Sequence, residues 1–483
     1  MKADGKYTIA TSLVAGVVGC LFYFPFAARF FMGDDWLWLA AASRVMEEPL
    51  SLFDRPIYGY FRPVATGLLS LWYPLAVTNA WLYSCVSVVL HGANAALLYL
   101  LIGRLGGDKT VAAAAALLFG IYYLNAPVVT WISATPDLLV TSFTLLMALT
   151  VTKYTEDSNP WWLVAVTVLW AVATLTKESG LASLAVVVVM LVLDKRNLLR
   201  PPVIWFSLTV VLLAIAYLTV YFVGREVIDK ELVLGPSVLV SIWYLLGYLI
   251  FPLSSRVADM LPDGMHWILL TCRVVAAAAV PVIGWVTWRY GNRLTRLFSL
   301  WCLIFILPVS LFDWDVTLLS LFPERTASRY MYTSSAGFVV LAAYGLDYCW
   351  RKWSGFIWAR KLVLAVFICT VVLANAVIVY KITAKYRWDQ EMEEHNFNVV
   401  VNSLMAGDVR GLIIVVPDRE SAPQLFQDTS FIAAMARVGV GRRVPVTISE
   451  SGDNVGGATE KTLWLDESSL RLSEQRPPSE QLE

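Results

Sequence analysis

The sequence predicts an all-α polytopic membrane protein, a bundle of apolar helices, and two observations support this fold class. Of its 483 residues, 58% are hydrophobic and only 15% are charged, whereas soluble chains carry about a quarter charged residues. Apolar runs of roughly twenty residues recur along most of the chain, and each is long enough to cross a hydrocarbon core about 30 Å thick. With a mean hydropathy of +0.64, the chain cannot be an ordinary soluble domain.

About eleven apolar segments predict transmembrane helices. They cover residues 7–31, 79–103, 110–125, 135–152, 161–176, 179–193, 202–224, 266–288, 297–311, 331–349 and 361–381. The first segment is too long for the core of a signal peptide and lacks a small-residue cleavage site, so we expect it to be retained. Residues 237–251 are apolar but short, and we interpret them as an interfacial or re-entrant helix on the outer face.

The lysines and arginines predict the orientation, because short cytoplasmic loops carry an excess of both. With the N-terminus inside, basic residues gather in alternate loops, for example at Lys153 and at Arg351-Lys352. This assignment places the loop at residues 32–78 and the tail after Lys381 on the extracytoplasmic side.

Two regions are predicted to lie outside the bundle. The loop at residues 32–78 mixes tryptophans and arginines with apolar residues at helical spacing, which favours one or two interfacial helices. The tail is richer in charge and contains a predicted strand at Gly411–Val416 and a predicted helix at Ser430–Arg437, with an end that is partly disordered. We therefore expect a transmembrane domain at residues 1–384 and a small extracytoplasmic α/β-like region at residues 385–483.

Two adjacent carboxylates, Asp34 and Asp35, stand where the first apolar run ends, with Trp36 and Trp38 directly behind them. Charge beside hydrocarbon is costly, so paired acids at a membrane border suggest a function. One interpretation is that this pair activates an acceptor hydroxyl on the extracytoplasmic surface. The alternative is an ordinary solvated helix end.

Several basic residues on the same predicted face are suited to an anion. Arg325 and Arg329 precede the tenth predicted span, and a guanidinium donates two parallel hydrogen bonds to a phosphate. Lys177, followed by Glu178, interrupts an apolar run at an outer hairpin. It either meets a phosphate or forms an ion pair within the hairpin, just as Arg329 could instead snorkel to headgroups. Arg62 is either an interfacial anchor or a substrate ligand.

Three further polar residues lie within or against apolar segments. His91 and Asn94 share one face of the second predicted span, where hydrogen bonding between helices is the simpler interpretation. Asp137 follows an outer turn, where the N-terminal end of a helix favours a carboxylate.

Other chemistries fit the sequence poorly. The net charge is zero, which argues against a nucleic-acid partner. The three histidines, His91, His266 and His395, are too dispersed for a recognisable metal motif, and neither a phosphate-binding glycine loop nor a GxSxG motif is present. The remaining inventory, acids beside bases on one membrane face, suits transfer of a group from a lipid phosphate.

Taken together, these segments resemble the GT-C superfamily of polyprenyl-phosphate-sugar-dependent glycosyltransferases, and above all the TMTC-type protein O-mannosyltransferases and their bacterial relatives. The chain departs from the family pattern at Ala134-Thr135, where Gly-Arg is usual. The segments that carry the resemblance are Gly33-Asp34-Asp35, Phe61-Arg62-Pro63, His91 to Asn94, Trp131-Ile132 with Asp137-Leu138-Leu139, Lys177-Glu178, Phe251-Pro252-Leu253-Ser254 and Arg329-Tyr330-Met331-Tyr332.

The resemblance implies a donor that is a dolichyl- or undecaprenyl-phosphate sugar, and inversion at the anomeric carbon. It implies that Asp34 or Asp35 is the general base. The donor phosphate would be bound by Arg329, Lys177, Arg62 and Arg325, with supporting roles for Glu178, Asp137, His91, Asn94 and Tyr332. Because such a donor carries a single phosphate, we expect no obligatory metal or cofactor.

The acceptor stays open between a protein, a glycan and a lipid, because this chain lacks the tetratricopeptide repeats of the animal members. We expect an integral protein of the bacterial inner (plasma) membrane, with its active site and C-terminus outside the cytoplasm. The central geometric expectation is that the tandem aspartates and Arg329 meet on one outer rim. The alternatives are a lipid-linked sugar flippase or secondary transporter, and a GT-C-fold glycan polymerase or ligase that uses diphosphate lipids.

Overall fold

A computed structural model gives the fold of the chain. It describes residues 2–54, 59–194, 200–223, 235–250, 266–311, 328–352, 357–406, 409–416, 429–441, 443–450, 460–466 and 471–473. Arg325 and the Phe251 to Ser254 stretch, both singled out in the sequence, lie outside the described residues.

Most of the described residues are helical. The helices are α1 (Lys2–Tyr23), α2 (Asp35–Glu47), α3 (Pro63–Ala76), α4 (Ala80–Arg104), α5 (Lys109–Ile121), α6 (Ala126–Val129), α7 (Thr135–Asp157), α8 (Trp161–Thr176), α9 (Gly180–Leu193), α10 (Pro201–Val223), α11 (Ser237–Ile250), α12 (His266–Tyr290), α13 (Arg293–Ser310), α14 (Tyr332–Lys352), α15 (Ile357–Met405) and α16 (Thr429–Val440). A helix lies at each position where the sequence predicts a span. Two further helices, α2 and α3, lie in the stretch at residues 32–78.

Fewer helices are long and apolar enough to cross a membrane than the sequence pattern indicates. Within the described residues there are six, or seven if the bent pair Lys109–Ile121 and Tyr123–Val129 forms one span. The two helices α8 and α9 explain part of the difference, because they contain 16 and 14 residues and reach only about 21–24 Å at 1.5 Å per residue. Both are apolar throughout, so the sequence pattern alone counts them as spans.

The structure divides into two units. The first contains residues 1–26, 86–130 and 134–380. The second contains residues 27–85, 131–133 and 381–483. The long helix α15 contributes its apolar first part to the first unit and its charged second part, from Lys381 onward, to the second.

In the first unit, glycines bring α1 into close contact with α4 and α5. A Cβ built on Gly92 would lie 2.6 Å from the carbonyl oxygen of Gly16, and one on Gly19 would lie 3.3 Å from the Cα of Gly120. Helices in a membrane associate through packing of this kind, since lipid offers no hydrophobic driving force between them.

The second unit combines α2, α3 and the end of α15 with a small sheet. The strands are β1 (Gly411–Val416), β2 (Val446–Glu450), β3 (Glu460–Asp466) and β4 (Arg471–Ser473). Their order is β2-β1-β3-β4, with β1 parallel to both neighbours and β4 antiparallel to β3. The apolar run of β1 is typical of a central strand that is covered on both faces.

Helix α16 packs on both the sheet and α2, and Arg437 of α16 pairs with Glu47 of α2 at 2.7 Å. Strand β1 and helix α16 lie where the sequence predicts a strand and a helix. Strands β3 and β4 lie in a stretch for which the sequence predicts partial disorder. Strand β4 has only three residues, and β3 carries charged residues at both ends, so neither shows the continuous apolar run that marks β1.

Candidate active site

The tandem aspartates lie at the start of α2, in the second unit. Gly33 has a φ of +53°, a left-handed conformation that glycine adopts without a Cβ penalty, and it turns the chain into the helix. Asp34 is the N-cap and Asp35 is the first helical residue. The N–H of Trp36 closes the turn by donating to the carbonyl of Gly33 at 3.3 Å. Both carboxylates therefore stand at a helix N-terminus, where the macrodipole favours negative charge.

Asp35 is an internal residue, with 1% of its surface exposed. Its Oδ1 accepts hydrogen bonds from the N–H of Ser133 at 2.7 Å and from the Ser133 hydroxyl, and its Oδ2 accepts from the N–H of Met32 at 3.1 Å. Burial raises the pKa of Asp35 to about 7, against the opposing effect of the bonds from Ser133 and Met32, and the nearby charge of Asp34 raises it further.

Asp34 has a different environment from its neighbour. It is half-buried, and although it is the N-cap of α2 its side chain makes no capping hydrogen bond to that helix. A carboxylate acts as a general base only when a substrate can reach it. Asp34 meets this condition better than the fully buried Asp35, and the geometry thus separates two residues that the sequence left equivalent.

A third carboxylate, Glu393 on α15, contacts the same segment. It is 5% exposed, and its two oxygens accept hydrogen bonds from the N–H of Gly33 at 2.8 Å and from the indole N–H of Trp36 at 2.6 Å. Trp36 also stacks on Phe397, with the ring centroids 4.9 Å apart and the planes at 16°. The segment is thus held from both sides of the aspartate pair.

Sequence reasoning missed both Ser133 and Glu393. Glu393 belongs to a run of three glutamates in four residues, which is typical of a solvated helix face. The only available signal was the apolar residues Phe397, Val400 and Leu404 at helical spacing further along α15, because they indicate that one face of this helix is buried.

Arg62 also lies in the second unit, at the N-cap of α3. Its guanidinium lies over the ring of Tyr60, 4.3 Å from the centroid, and its carbonyl accepts from the N–H of Thr66 at 3.1 Å. The side chain is half-buried, an environment that suits either of the roles that the sequence left open.

In the first unit, the structure brings four of the singled-out residues together. Lys177, 9% exposed, donates to both carboxylate oxygens of Asp137 at 2.7 and 2.6 Å. Its ammonium lies 5.2 Å from the ring centroid of Tyr330. The guanidinium of Arg329 lies 4.9 Å from the same centroid and donates to the Tyr330 hydroxyl at 2.8 Å. Two cations therefore share one aromatic ring, an arrangement that stabilises both of them.

The ion pair that Lys177 forms differs from the hairpin ion pair that the sequence offered as an alternative to phosphate binding. That alternative placed the pair within the hairpin that also carries Glu178, whereas the partner in the structure is Asp137 in the first turn of α7. Glu178 itself is half-buried. Because Lys177 is already held by a carboxylate, any role toward a substrate would use a cation fixed in position.

His91, Asn94 and Tyr332 form a network that is fully inside the first unit. His91 Nδ1 and the Tyr332 hydroxyl lie 2.8 Å apart, and the amide of Asn94 donates to that hydroxyl at 3.2 Å and to the carbonyl of Leu138 at 3.0 Å. All three side chains are 0% exposed. The predicted hydrogen bonding between helices at His91 and Asn94 is confirmed. It holds the first residue of α14, Tyr332, which lies just after the Arg329-Tyr330 turn.

Within the part of the chain that the structure describes, no group of three or more histidine, cysteine, aspartate or glutamate side chains is arranged to hold a metal ion.

One sequence family matches the chain. Residues 54–221 match the family described as dolichyl-phosphate-mannose-protein mannosyltransferase. No curated protein is significantly similar to the chain in sequence.

Solved structures with the same fold include AglB and ArnT. The oligosaccharyltransferase AglB from Archaeoglobus fulgidus, solved with an inhibitory peptide and a dolichol-phosphate, has a TM-score of 0.51 and 10% identity over 92% of this chain and 64% of its own. ArnT from Cupriavidus metallidurans, bound to undecaprenyl phosphate, has a TM-score of 0.50 and 12% identity over 94% of this chain and 87% of its own.

A further Archaeoglobus fulgidus oligosaccharyltransferase structure, tethered to an acceptor peptide with the NVT sequon, has a TM-score of 0.50 and 11% identity over 91% of this chain. The chain spans 63% of that enzyme's length. The match over residues 54–221 and the shared fold agree with the resemblance to the GT-C superfamily that the sequence motifs carry.

Proposed function

We propose that the chain transfers a sugar from a polyprenyl-phosphate donor to a hydroxyl acceptor on the extracytoplasmic face of a membrane, with Asp34 as the general base. One observation carries the assignment of the base. Of the two adjacent carboxylates, Asp34 is half-buried, whereas Asp35 is 1% exposed and accepts hydrogen bonds from Ser133 and Met32. Asp35 then supports the turn that presents Asp34.

The cluster of Lys177, Arg329 and Tyr330 supports a role with the donor phosphate. An ammonium carries three N–H groups, and two of those on Lys177 are directed to Asp137. The third, together with the fork of Arg329, suits a single phosphate. The structural neighbours add support, because ArnT was solved with undecaprenyl phosphate and AglB with a dolichol-phosphate.

In the proposed reaction, Asp34 takes the proton of the acceptor hydroxyl as its oxygen attacks the anomeric carbon. The bond from that carbon to the phosphate oxygen breaks, and the polyprenyl phosphate leaves with the bonding electrons. Attack opposite to the leaving group inverts the configuration. Negative charge grows on the phosphate during this step, and fixed cations such as Lys177 and Arg329 stabilise it best where bulk water is excluded.

The lipid partner is tested by mass spectrometry of lipids that co-purify with the protein, where we expect a polyprenyl phosphate or its sugar ester. Transfer is tested in proteoliposomes with a panel of undecaprenyl- and dolichyl-phosphate hexoses and pentoses, and with candidate peptide, glycan and lipid acceptors. The readout is release of free polyprenyl phosphate together with labelled acceptor.

Release without transfer of label to any acceptor would contradict the proposal. Movement of an intact lipid-linked sugar across the vesicle membrane would instead favour a flippase or transporter, and turnover restricted to diphosphate donors would favour a polymerase or ligase. The class of the labelled acceptor identifies the physiological acceptor as a protein, a glycan or a lipid.

A further inference from the structure

The second part of α15 presents one face to the segment that precedes and contains the tandem aspartates. Gln390, Glu393 and Phe397 follow one another at helical spacing along this face. Gln390 accepts from the N–H of Arg29 at 3.2 Å. Phe397 packs against Phe30, with the ring centroids 5.9 Å apart. One helix face thus follows the segment from residue 29 to the start of α2.

Glu393 occupies the centre of this face and contacts the segment at two points. Its Oε1 accepts from the N–H of Gly33 at 2.8 Å, and its Oε2 accepts from the indole N–H of Trp36 at 2.6 Å. These two residues flank Asp34 and Asp35 directly. A single side chain therefore fixes the turn before the acid pair and the helical residue after it.

The backbone at Gly33 makes this contact specific. Gly33 has a φ of +53°, and a Cβ at this position would lie 3.8 Å from the ring of Trp131. In this conformation its N–H donates to Glu393, and Asp34 is the N-cap of α2.

We propose that Glu393 is a positioning residue for the tandem aspartates, one that holds Asp34 in the orientation required for proton transfer. The inference rests on the proposed function, since it assumes that Asp34 accepts the proton. Glu393 acts through Gly33 and Trp36 and need not touch the substrate.

The contact uses both oxygens of the Glu393 carboxyl group as hydrogen-bond acceptors. Burial raises the pKa of Glu393 to about 8, and the hydroxyl oxygen of the protonated form still offers a lone pair to an N–H group. In the Glu393→Gln variant, one of the two N–H groups faces an amide NH₂ and loses its acceptor, although the side chain keeps its size. The loss of one such bond to a buried donor changes the equilibrium between the held and the displaced segment by about 10-fold.

The test compares Glu393→Gln with the matched control Glu394→Gln, whose side chain is exposed on the same helix. We expect Glu393→Gln to lower kcat about 10-fold, with the donor KM little changed and the thermal unfolding midpoint lowered slightly, as for the loss of one buried hydrogen bond. Glu394→Gln should behave as the wild type. An unchanged kcat, or a loss confined to the donor KM, would overturn the proposal.

A second background distinguishes positioning from simple loss of structure. Trp36→Phe removes one of the two N–H donors but keeps a ring against Phe397. When Glu393→Gln is added to this background, the oxygen of the new amide can serve Gly33 while its NH₂ faces no N–H group. Glu393→Gln should therefore cost clearly less in Trp36→Phe than in the wild type, and equal costs would count against the proposal.

Hydrogen exchange separates this inference from the proposed function. Glu393→Gln should raise deuterium uptake in peptides that cover residues 29–40 and leave uptake in α4 unchanged. If the wild type transfers no sugar from any donor, the proposed function fails, and the exchange result alone decides whether Glu393 holds the segment. Unchanged uptake at residues 29–40, or a rise throughout the protein, would refute the positioning role.

Discussion

Each of the two units buries a carboxylate near its polar cluster, but the two carboxylates are held in different ways. Asp35 of the second unit accepts hydrogen bonds from uncharged donors, the backbone of Met32 and the backbone and hydroxyl of Ser133. Asp137 of the first unit accepts both of its bonds from the ammonium of Lys177. The exposed fractions are similarly small, 1% and 7%.

The difference indicates two separate tasks. Neutral donors hold Asp35 while its burial raises the pKa to about 7, so the charge beside Asp34 depends on pH in the physiological range. The ion pair of Asp137 instead fixes the position of a cation. A buried acid such as Asp35, whose charge changes near neutral pH, suits a site for acid–base chemistry, and a fixed cation suits a phosphate. The following predictions test this division.

The largest effect is expected for Asp34→Asn. Removal of a general base typically costs about 10²–10⁴-fold in rate, and we expect a loss of that size in transfer with donor binding retained. The measurement is release of polyprenyl phosphate under single-turnover conditions, with donor affinity measured separately. Asp54→Asn, in the same unit, is the control, because Asp54 is 44% exposed and pairs with Arg44 at the surface. If Asp34→Asn kept full activity, the assignment of the base would be wrong.

The next largest effect is expected for Lys177→Met. It leaves Asp137 buried without its partner, and breaking a buried pair in this way costs about 3–5 kcal/mol. The double variant Lys177→Met/Asp137→Leu should recover most of this stability but bind the donor no better than the single variant. Thermal unfolding in detergent and a donor-binding assay measure the two properties.

Arg104→Met is the control for that experiment. Arg104 pairs with Glu156 at 3.3 Å, but the two side chains are 49% and 46% exposed, so its removal should change stability by about 0–1 kcal/mol. Recovery of donor binding in the double variant would show that Lys177 has no role toward the phosphate.

Features of the fold could be predicted from the sequence where neighbouring residues determine them. Each helix proposed from an apolar run is present, because composition over about twenty residues decides that preference. The number of spans was less predictable, since two short helices such as α8 and α9 have the same composition as longer ones.

The partners of the singled-out residues could not be predicted. Glu393 lies 360 positions from Gly33, and Asp137 lies 40 positions from Lys177, so the folded chain alone brings them together. Residues at the ends of apolar runs, such as Asp34, could be singled out because charge beside hydrocarbon is rare. Whether such a residue is buried is a property of its neighbours.

A smaller effect is expected from the pH dependence of Asp35. Its pKa is raised by burial from the ordinary value of 3.8 to about 7, so the folded state binds this proton more tightly than the unfolded state. The stabilisation is complete below about pH 4 and is lost as the pH rises to about 7. We expect the unfolding midpoint of the wild type to fall between about pH 4 and 7 more than that of Asp35→Asn. Asp34 and Glu393 face the same site and remain in both proteins, but the charge of Asp35 also raises the pKa of Glu393, so the difference reports Asp35 together with this coupling. Parallel pH profiles would contradict the assignment.

The smallest effect is expected for Arg329, because its guanidinium is half-buried and rests on the ring of Tyr330. Arg329→Gln removes the charge and the planar fork together, and we expect the donor KM to rise about 10-fold with a small change in kcat, as for the loss of one charge-assisted bond. Arg329→Lys keeps the charge but loses the fork, so its donor KM should lie between those of the wild type and Arg329→Gln.

The exposed Arg351 provides the control, since Arg351→Gln removes a cation that pairs with Asp108 and Asp347. If Arg329→Lys were as impaired as Arg329→Gln, the fork would be the essential property, whereas an unchanged donor KM in both variants would leave Lys177 as the cation that meets the phosphate.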